Sequence, residues 1–338
     1  AGVFNPTLRI LMTSPAFGGL HATSATSATS SATSSATSFS THDSEFPSPP
    51  TRSLDPENWS GLRASGHRML DDMFDYIEQI RQRPVWQPVS DEVRHSIDAP
   101  LPKDGMALEQ VYQLFSEQVL PYSIGNVHPG FMGWVNGGGT PVGMLAEMLA
   151  AGLNANLGGR NHMPVVVEQQ IVAWVRELFA FPQAATGLFV TGTSMANFIA
   201  VTCARTRMLG QAVRSSGIAG QTQRLCAYAS AGAHGCVAQA MDLAGLGLAT
   251  LRQIPLDARF ELDLDALRAA IASDRAAGLT PFMIIGTAGS VDVGAIDNLN
   301  ALADIAAQEA LWFHIDGAFG ALAMMSPQLA PKLAGIER

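Results

Sequence analysis

Between an apolar run that ends at Val190 and a stretch of helical pattern, the chain reads Thr191-Gly192-Thr193-Ser194-Met195-Ala196-Asn197. A glycine permits a tight turn, the first amides of a helix point outward, and two hydroxyls add donors. Gly192, Thr193 and Ser194 therefore form an anion cradle whose natural guest is a phosphate. The same residues would also serve as an ordinary N-cap by Thr193 or Ser194. The segment is not a nucleotide P-loop, because the Gly-Lys-Ser/Thr ending is absent. A second candidate is Asp316, in His314-Ile315-Asp316-Gly317-Ala318 at the end of an apolar run. A carboxylate at a strand end faces a cleft, and the small residues after it admit a planar ligand; a helix cap or turn is the alternative. His234, in Ser230-Ala231-Gly232-Ala233-His234-Gly235, and Ser290, in Thr287-Ala288-Gly289-Ser290, repeat the arrangement. A loop or core histidine and an ordinary turn are their alternatives.

Metal binding fits these residues poorly. His128, His162, His234 and His314 are far apart, with no His-x-x-x-His or Cys-x-x-Cys pair, so no metal is expected. Ser194, His234 and Asp316 would make a hydrolase triad, but no Gly-x-Ser-x-Gly elbow is present.

The elements that must position the candidates follow from periodicity. From Pro164 onward helical patterns and short apolar runs alternate: helices over 165–179, 194–209, 234–244, 263–274 and 299–309, strands over 187–190, 224–229, 250–254, 282–287 and 311–315. Such alternation predicts an α/β fold with a mainly parallel sheet and helices on both faces. Ligands in these sheets gather at the carboxyl ends of the strands, where the candidate residues fall. Ahead of any strand signal stand two helices. One has Asp55 as cap, Pro56 at its first position and Leu62, Met69, Met73, Tyr76, Ile77 and Ile80 at helical spacing, with Pro84 ending it. The other runs over 107–119. Residues 51–125 are thus expected to be a helical arm before a large domain at 126–338. Residues 1–50 carry a repeating Ala-Thr-Ser tract with little to bury and are expected to be a disordered low-complexity leader. A transit peptide is the alternative, but Arg9 is the only basic residue before Arg52.

With 338 residues, 47% of them hydrophobic and 14% charged, the chain has material for a large core. A net charge of −9 without a Lys/Arg cluster argues against nucleic acid and for a small-molecule partner. No window reaches the roughly eighteen consecutive apolar residues of a membrane helix, so no membrane partner is expected. Cys203, Cys226 and Cys236 read as reduced thiols of a cytoplasmic protein.

Taken in order, these segments resemble the group II pyridoxal-phosphate-dependent amino-acid decarboxylases, which include the aromatic-amino-acid, histidine and glutamate decarboxylases. The resemblance covers 54–338. It rests on His128-Pro129-Gly130-Phe131, on 191–197 running into Ala204-Arg205-Thr206, and on 228–234, 274–281, 286–297 and 312–318. It implies a fold-type-I transferase-like domain with pyridoxal 5'-phosphate as cofactor. Gly192, Thr193 and Ser194 would hold the phosphate, His234 would stack on the ring, and Asp316 would pair with the ring nitrogen. Ala318 would contact the ring, with Ser290 close by, and Trp134, Val135 and Asn136 would face the substrate. The last three differ from what an aromatic-amino-acid enzyme would carry. The implied reaction is decarboxylation of an L-amino acid to an amine and carbon dioxide by a homodimer. An aminotransferase or other lyase on this fold is the alternative. The resemblance also places the Schiff-base lysine in a His-Lys pair shortly beyond Arg338, followed by a further C-terminal domain. The chain as written is therefore expected to be catalytically incomplete, or a non-catalytic cofactor-binding or dimerisation chain. Lys332, near the end, reads as a surface residue.

Overall fold

A computed structural model describes residues 55–158 and 161–338. The expectation for the leader lies outside them. The described residues fall into two compact units, 55–132 with 138–145, and 133–137 with 146–338.

In the first unit α1 spans Trp59–Glu78, α2 Asp91–Ile97 and α3 Leu108–Leu114. The cap of α1 is Asn58 rather than Asp55, because the Asn58 side chain reaches the Gly61 N–H at 2.9 Å. The helix ends at Glu78, and a single 3-10 turn, Ile80–Gln82, intervenes before Pro84. Beyond Leu114 the second helix widens into a π turn, Phe115–Val119. The short α2 was not expected from the sequence. Its signal is Ser90, whose hydroxyl accepts from Val93 N at 3.4 Å. Also unexpected is α4, Pro141–Leu153, where Thr140 Oγ1 accepts from Gly143 N at 2.9 Å and Pro141 opens the first turn.

The second unit continues with α5 (Met163–Leu178), α6 (Gly192–Leu209), α7 (Val213–Ser216), β1 (Leu225–Ser230), α8 (Cys236–Leu243), β2 (Leu251–Ile254), α9 (Leu264–Ala276), β3 (Thr280–Thr287), α10 (Leu299–Gln308) and β4 (Trp312–Asp316). All four strands are parallel, in the order β2-β1-β3-β4. Period-two alternation divides the sheet between two apolar layers. Ala227, Ala229, Met283 and Ile285 face α6 and α8, while Cys226, Tyr228 and Ile284 face α9 and α10. A register shift after Cys226 puts both Phe282 and Met283 on the α6 side. Tyr228, Met283, Ile284 and Ile285 are fully buried, and such burial stabilises by about 1.5–3 kcal/mol for each large apolar side chain.

One expected strand is absent. Residues 187–190 lie outside the sheet, Leu188 is 43% exposed, and Phe189 N donates instead to Glu168 Oε1 at 3.1 Å. An apolar run becomes a strand only where a neighbour accepts its backbone hydrogen bonds, and none of the four strands lies beside this one.

The α9 layer contains one polar group. Tyr228 Oη donates to Asp274 Oδ2 at 3.0 Å, and Arg252 holds both oxygens of the same carboxylate at 2.9–3.1 Å. The Arg252 hydrogen bonds keep Asp274 below the ordinary aspartate range, against the pull of burial. Burial pushes the neighbouring Cys226 thiol up to about 11 and the Tyr228 phenol upward as well. These groups brace the sheet.

Candidate cofactor site

The strand order reverses direction between β1 and β3: the chain leaves β1 toward β2 on one side, then crosses to β3 and β4 on the other. A crevice opens outside the carboxyl ends of strands at such a point, because the connecting helices depart to opposite faces. The loops after β1, β3 and β4 bring His234, Ser290 and Asp316 to this end.

Asp316, the last residue of β4, is buried. Its Oδ1 accepts from the Ala318 N–H at 3.1 Å and its Oδ2 from Asn197 Nδ2 at 3.0 Å. Both oxygens act as acceptors. The Gly317 position must stay bare, because a Cβ there would lie 2.5 Å from the Ala321 Cβ. Ala318 is exposed, leaving a low surface beside the carboxylate.

Helix α6 begins at Gly192 with φ +77°, a conformation natural to glycine, and open space lies where its Cβ would be. The preceding Thr191 makes no side-chain capping bond, and the Gly192 N–H donates to Val190 O at 2.9 Å, so the first turn of α6 starts from a backbone-closed turn, with Thr193 and Ser194 following it. His234 is exposed, and its Nδ1 accepts from Cys236 N at 3.2 Å, which anchors one edge of the ring at the start of α8.

Ser290 is buried and closes a turn: its Oγ accepts from Ala295 N at 3.1 Å, and its own N–H donates to Ala295 O at 2.8 Å. The turn reading accounts for these bonds. Trp134, Val135 and Asn136 form an exposed loop; Trp134 is 79% exposed with φ +49°. Lys332 is exposed in a terminal turn, Ala330–Leu333. A cleft of about 780 Å³ among Phe260, Gly289, Val293, Asn300, Phe319 and Lys332 is lined by none of Gly192, Thr193, Ser194, His234 or Asp316.

Two residues given no role on sequence grounds are hydrogen-bonded into the surroundings of Asp316. Asn197 is 1% exposed and bonds not only to Asp316 but also to Cys236 Sγ at 3.1 Å and His314 Nε2 at 2.8 Å. A signal was present: Asn197 lies on the buried stripe of α6 formed by Ala196, Ala200, Val201 and Ala204, where a polar side chain requires partners. His314 precedes Asp316 by two, so both side chains leave β4 on the same face.

Residues 91–338 match the model of the pyridoxal-dependent decarboxylase conserved domain. The chain is 30% identical over 285 residues to an aromatic-L-amino-acid decarboxylase of Bacillus atrophaeus, covering 82% of this chain and 56% of that protein. It is 29% identical over 296 residues to the enzyme of that name from Sus scrofa, covering 83% and 60%. The chain therefore spans a little over half the length of these curated relatives. Among solved structures it resembles the crystal structure of Oryza sativa TDC with PLP and tryptamine, with a TM-score of 0.75 and 25% identity over 84% of this chain and 63% of that one.

Proposed function

Because the chain belongs to the pyridoxal-dependent decarboxylase family, we propose that the crevice holds pyridoxal 5'-phosphate and that the whole protein decarboxylates an L-amino acid to an amine. The observation that carries this reading is Asp316: a buried carboxylate at a strand end, held through both oxygens and joined by Asn197 to the first turns of α6. This donor and acceptor set fits the cofactor, which needs an anion seat at one end and a carboxylate at the other.

Gly192, which leaves open space at its Cβ position, and the Thr193 and Ser194 amides and hydroxyls would hold the phosphate at the start of α6. Asp316 would accept a hydrogen bond from the protonated ring nitrogen, and its charge would keep the proton on that nitrogen. The exposed ring of His234 would be the stacking group, and Ala318 would leave room beside it. When bound, the cofactor supplies a conjugated ring that accepts the electron pair left by departing carbon dioxide. The protein contributes orientation and a fixed negative charge, both in place before substrate arrives.

The substrate is an L-amino acid, and the names of the relatives put aromatic ones first in the test. Trp134, Val135 and Asn136 are assigned to its side chain. A homodimer is supported by α4, whose Val142, Met148, Leu149 and Leu153 are each more than half exposed. A cytoplasmic location is supported by Cys203, Cys226 and Cys236 all being free thiols. No helix among the described residues is long and apolar enough to cross a membrane.

The test is product analysis of the whole protein with pyridoxal 5'-phosphate and a panel of L-amino acids. Release of carbon dioxide with amine is expected. Formation of an oxo acid without carbon dioxide would make the protein an aminotransferase, and failure to bind the cofactor would overturn the reading.

A further inference from the structure

We propose that Asn197 is the positioning residue of this site, and that His314 sets its orientation. This rests on the reading of the crevice as a pyridoxal-phosphate site and specifies how the site is held rigid.

The amide of Asn197 can take only one orientation here. If its carbonyl faced Asp316, two acceptors would meet at 3.0 Å, so the NH2 group must face the carboxylate. The carbonyl Oδ1 then lies 2.8 Å from His314 Nε2, which must carry a hydrogen. His314 thus donates to Asn197, and Asn197 donates to Asp316. Its second N–H meets Cys236 Sγ at 3.1 Å, and the backbone amide of Cys236 in turn holds His234 Nδ1 at 3.2 Å. Asn197 itself lies three residues beyond Ser194 on α6. One buried side chain therefore ties together the supports of all three proposed contacts: the phosphate seat, the stacking histidine and the ring-nitrogen carboxylate. A fixed spacing between these supports is what an extended planar ligand requires.

The chain would be titrated with pyridoxamine 5'-phosphate labelled with 15N at the ring nitrogen, a probe that cannot link covalently to Lys103 or Lys332. Affinity and the ring-nitrogen chemical shift are read together, with circular dichroism and melting as controls for folding. The unsubstituted chain should show a protonated ring nitrogen. Asn197→Asp, which keeps the shape but opposes Asp316 with a second carboxyl, and Asn197→Leu should each weaken binding roughly tenfold or more, and Asn197→Leu should shift the nitrogen toward its unprotonated value. His314→Gln, whose side-chain N–H can replace Nε2–H, should behave as the unsubstituted chain, whereas His314→Phe should behave as Asn197→Leu. The His314 pair carries the test if either Asn197 variant fails to fold. Unchanged affinity and shift in folded Asn197 variants, or equal behaviour of the two His314 variants, would overturn the proposal. Failure of the unsubstituted chain to bind the probe would overturn the cofactor reading, and with it this one.

Discussion

Gly320 donates its backbone N–H to Ala288 O across 2.9 Å, and a Cβ on Gly320 would lie 2.5 Å from that same oxygen. The segment after β4 is thereby joined to the segment after β3, and Ala288 N donates in turn to Asp316 O at 2.9 Å. Two of the loops that carry the proposed site move as one. Gly320→Ala must separate them or break the bond, at a cost of about 1–3 kcal/mol. Urea unfolding should report that loss, and cofactor affinity should fall with it. Unaltered stability would show that the loops can part freely.

At Asp316 the expected effect is on cofactor binding as well as on folding. Asn in its place keeps one acceptor but turns an NH2 toward a donor, either Ala318 N or Asn197 Nδ2. It also removes the charge that faces the ring nitrogen. The loss of a charge-assisted bond, about 1.5–3 kcal/mol, corresponds to roughly a ten- to hundredfold weaker cofactor affinity. Equilibrium titration of Asp316→Asn measures it; equal affinity would remove Asp316 from the site.

Gly192→Ala isolates backbone strain, since no atom lies within 4 Å of the added Cβ. Holding alanine at φ +77° costs about 1–2 kcal/mol. The first turn of α6 should relax out of its anion-binding form, so that affinity for inorganic phosphate and for cofactor drops in parallel. A fall in only one of the two would separate the phosphate seat from the ring contacts.

Acid stability should depend on the Arg252–Asp274 pair. Hydrogen bonds from Arg252 first, and from Tyr228 second, depress the Asp274 pKa below its ordinary value of 3.8, with burial opposing. A depressed folded pKa means that the stabilisation is complete above 3.8 and is lost as the pH falls through the lower folded value. The Arg252 side chain is 36% exposed, so Arg252→Met should cost only about 1–2 kcal/mol at neutral pH. The variant should also lose less stability than the unsubstituted chain between pH 5 and pH 2. Parallel unfolding curves at both ends of that range would contradict the assignment.

Much of the second unit was legible in the chain because its pattern is local. Buried runs such as 282–287 and amphipathic stretches such as 263–274 carry their own periods; the observed β3 starts two residues earlier, and α9 starts one residue later and ends two later. Asp316 and His234 stood out as candidates because they follow such runs. Residues 187–190 misled for the opposite reason: their apolarity is local, but the hydrogen bonds that define a strand belong to a neighbour. The helix Pro141–Leu153 was missed because three glycines before it and a nearly uncharged sequence hide its start behind Thr140 and Pro141.

By itself, then, the sequence determined the α/β alternation, the glycine and hydroxyls that open α6, and the placement of single polar residues after β1, β3 and β4, since each depends on neighbours within a few positions. Only the tertiary structure decided that Asn197 and Asp316, 119 residues apart, share a hydrogen bond. It also decided that Ser290 spends its hydroxyl on a turn and that the 780 Å³ cleft lies away from the carboxylate. Strand order and helix docking set those distances, and a spacing along the chain carries no measure of them.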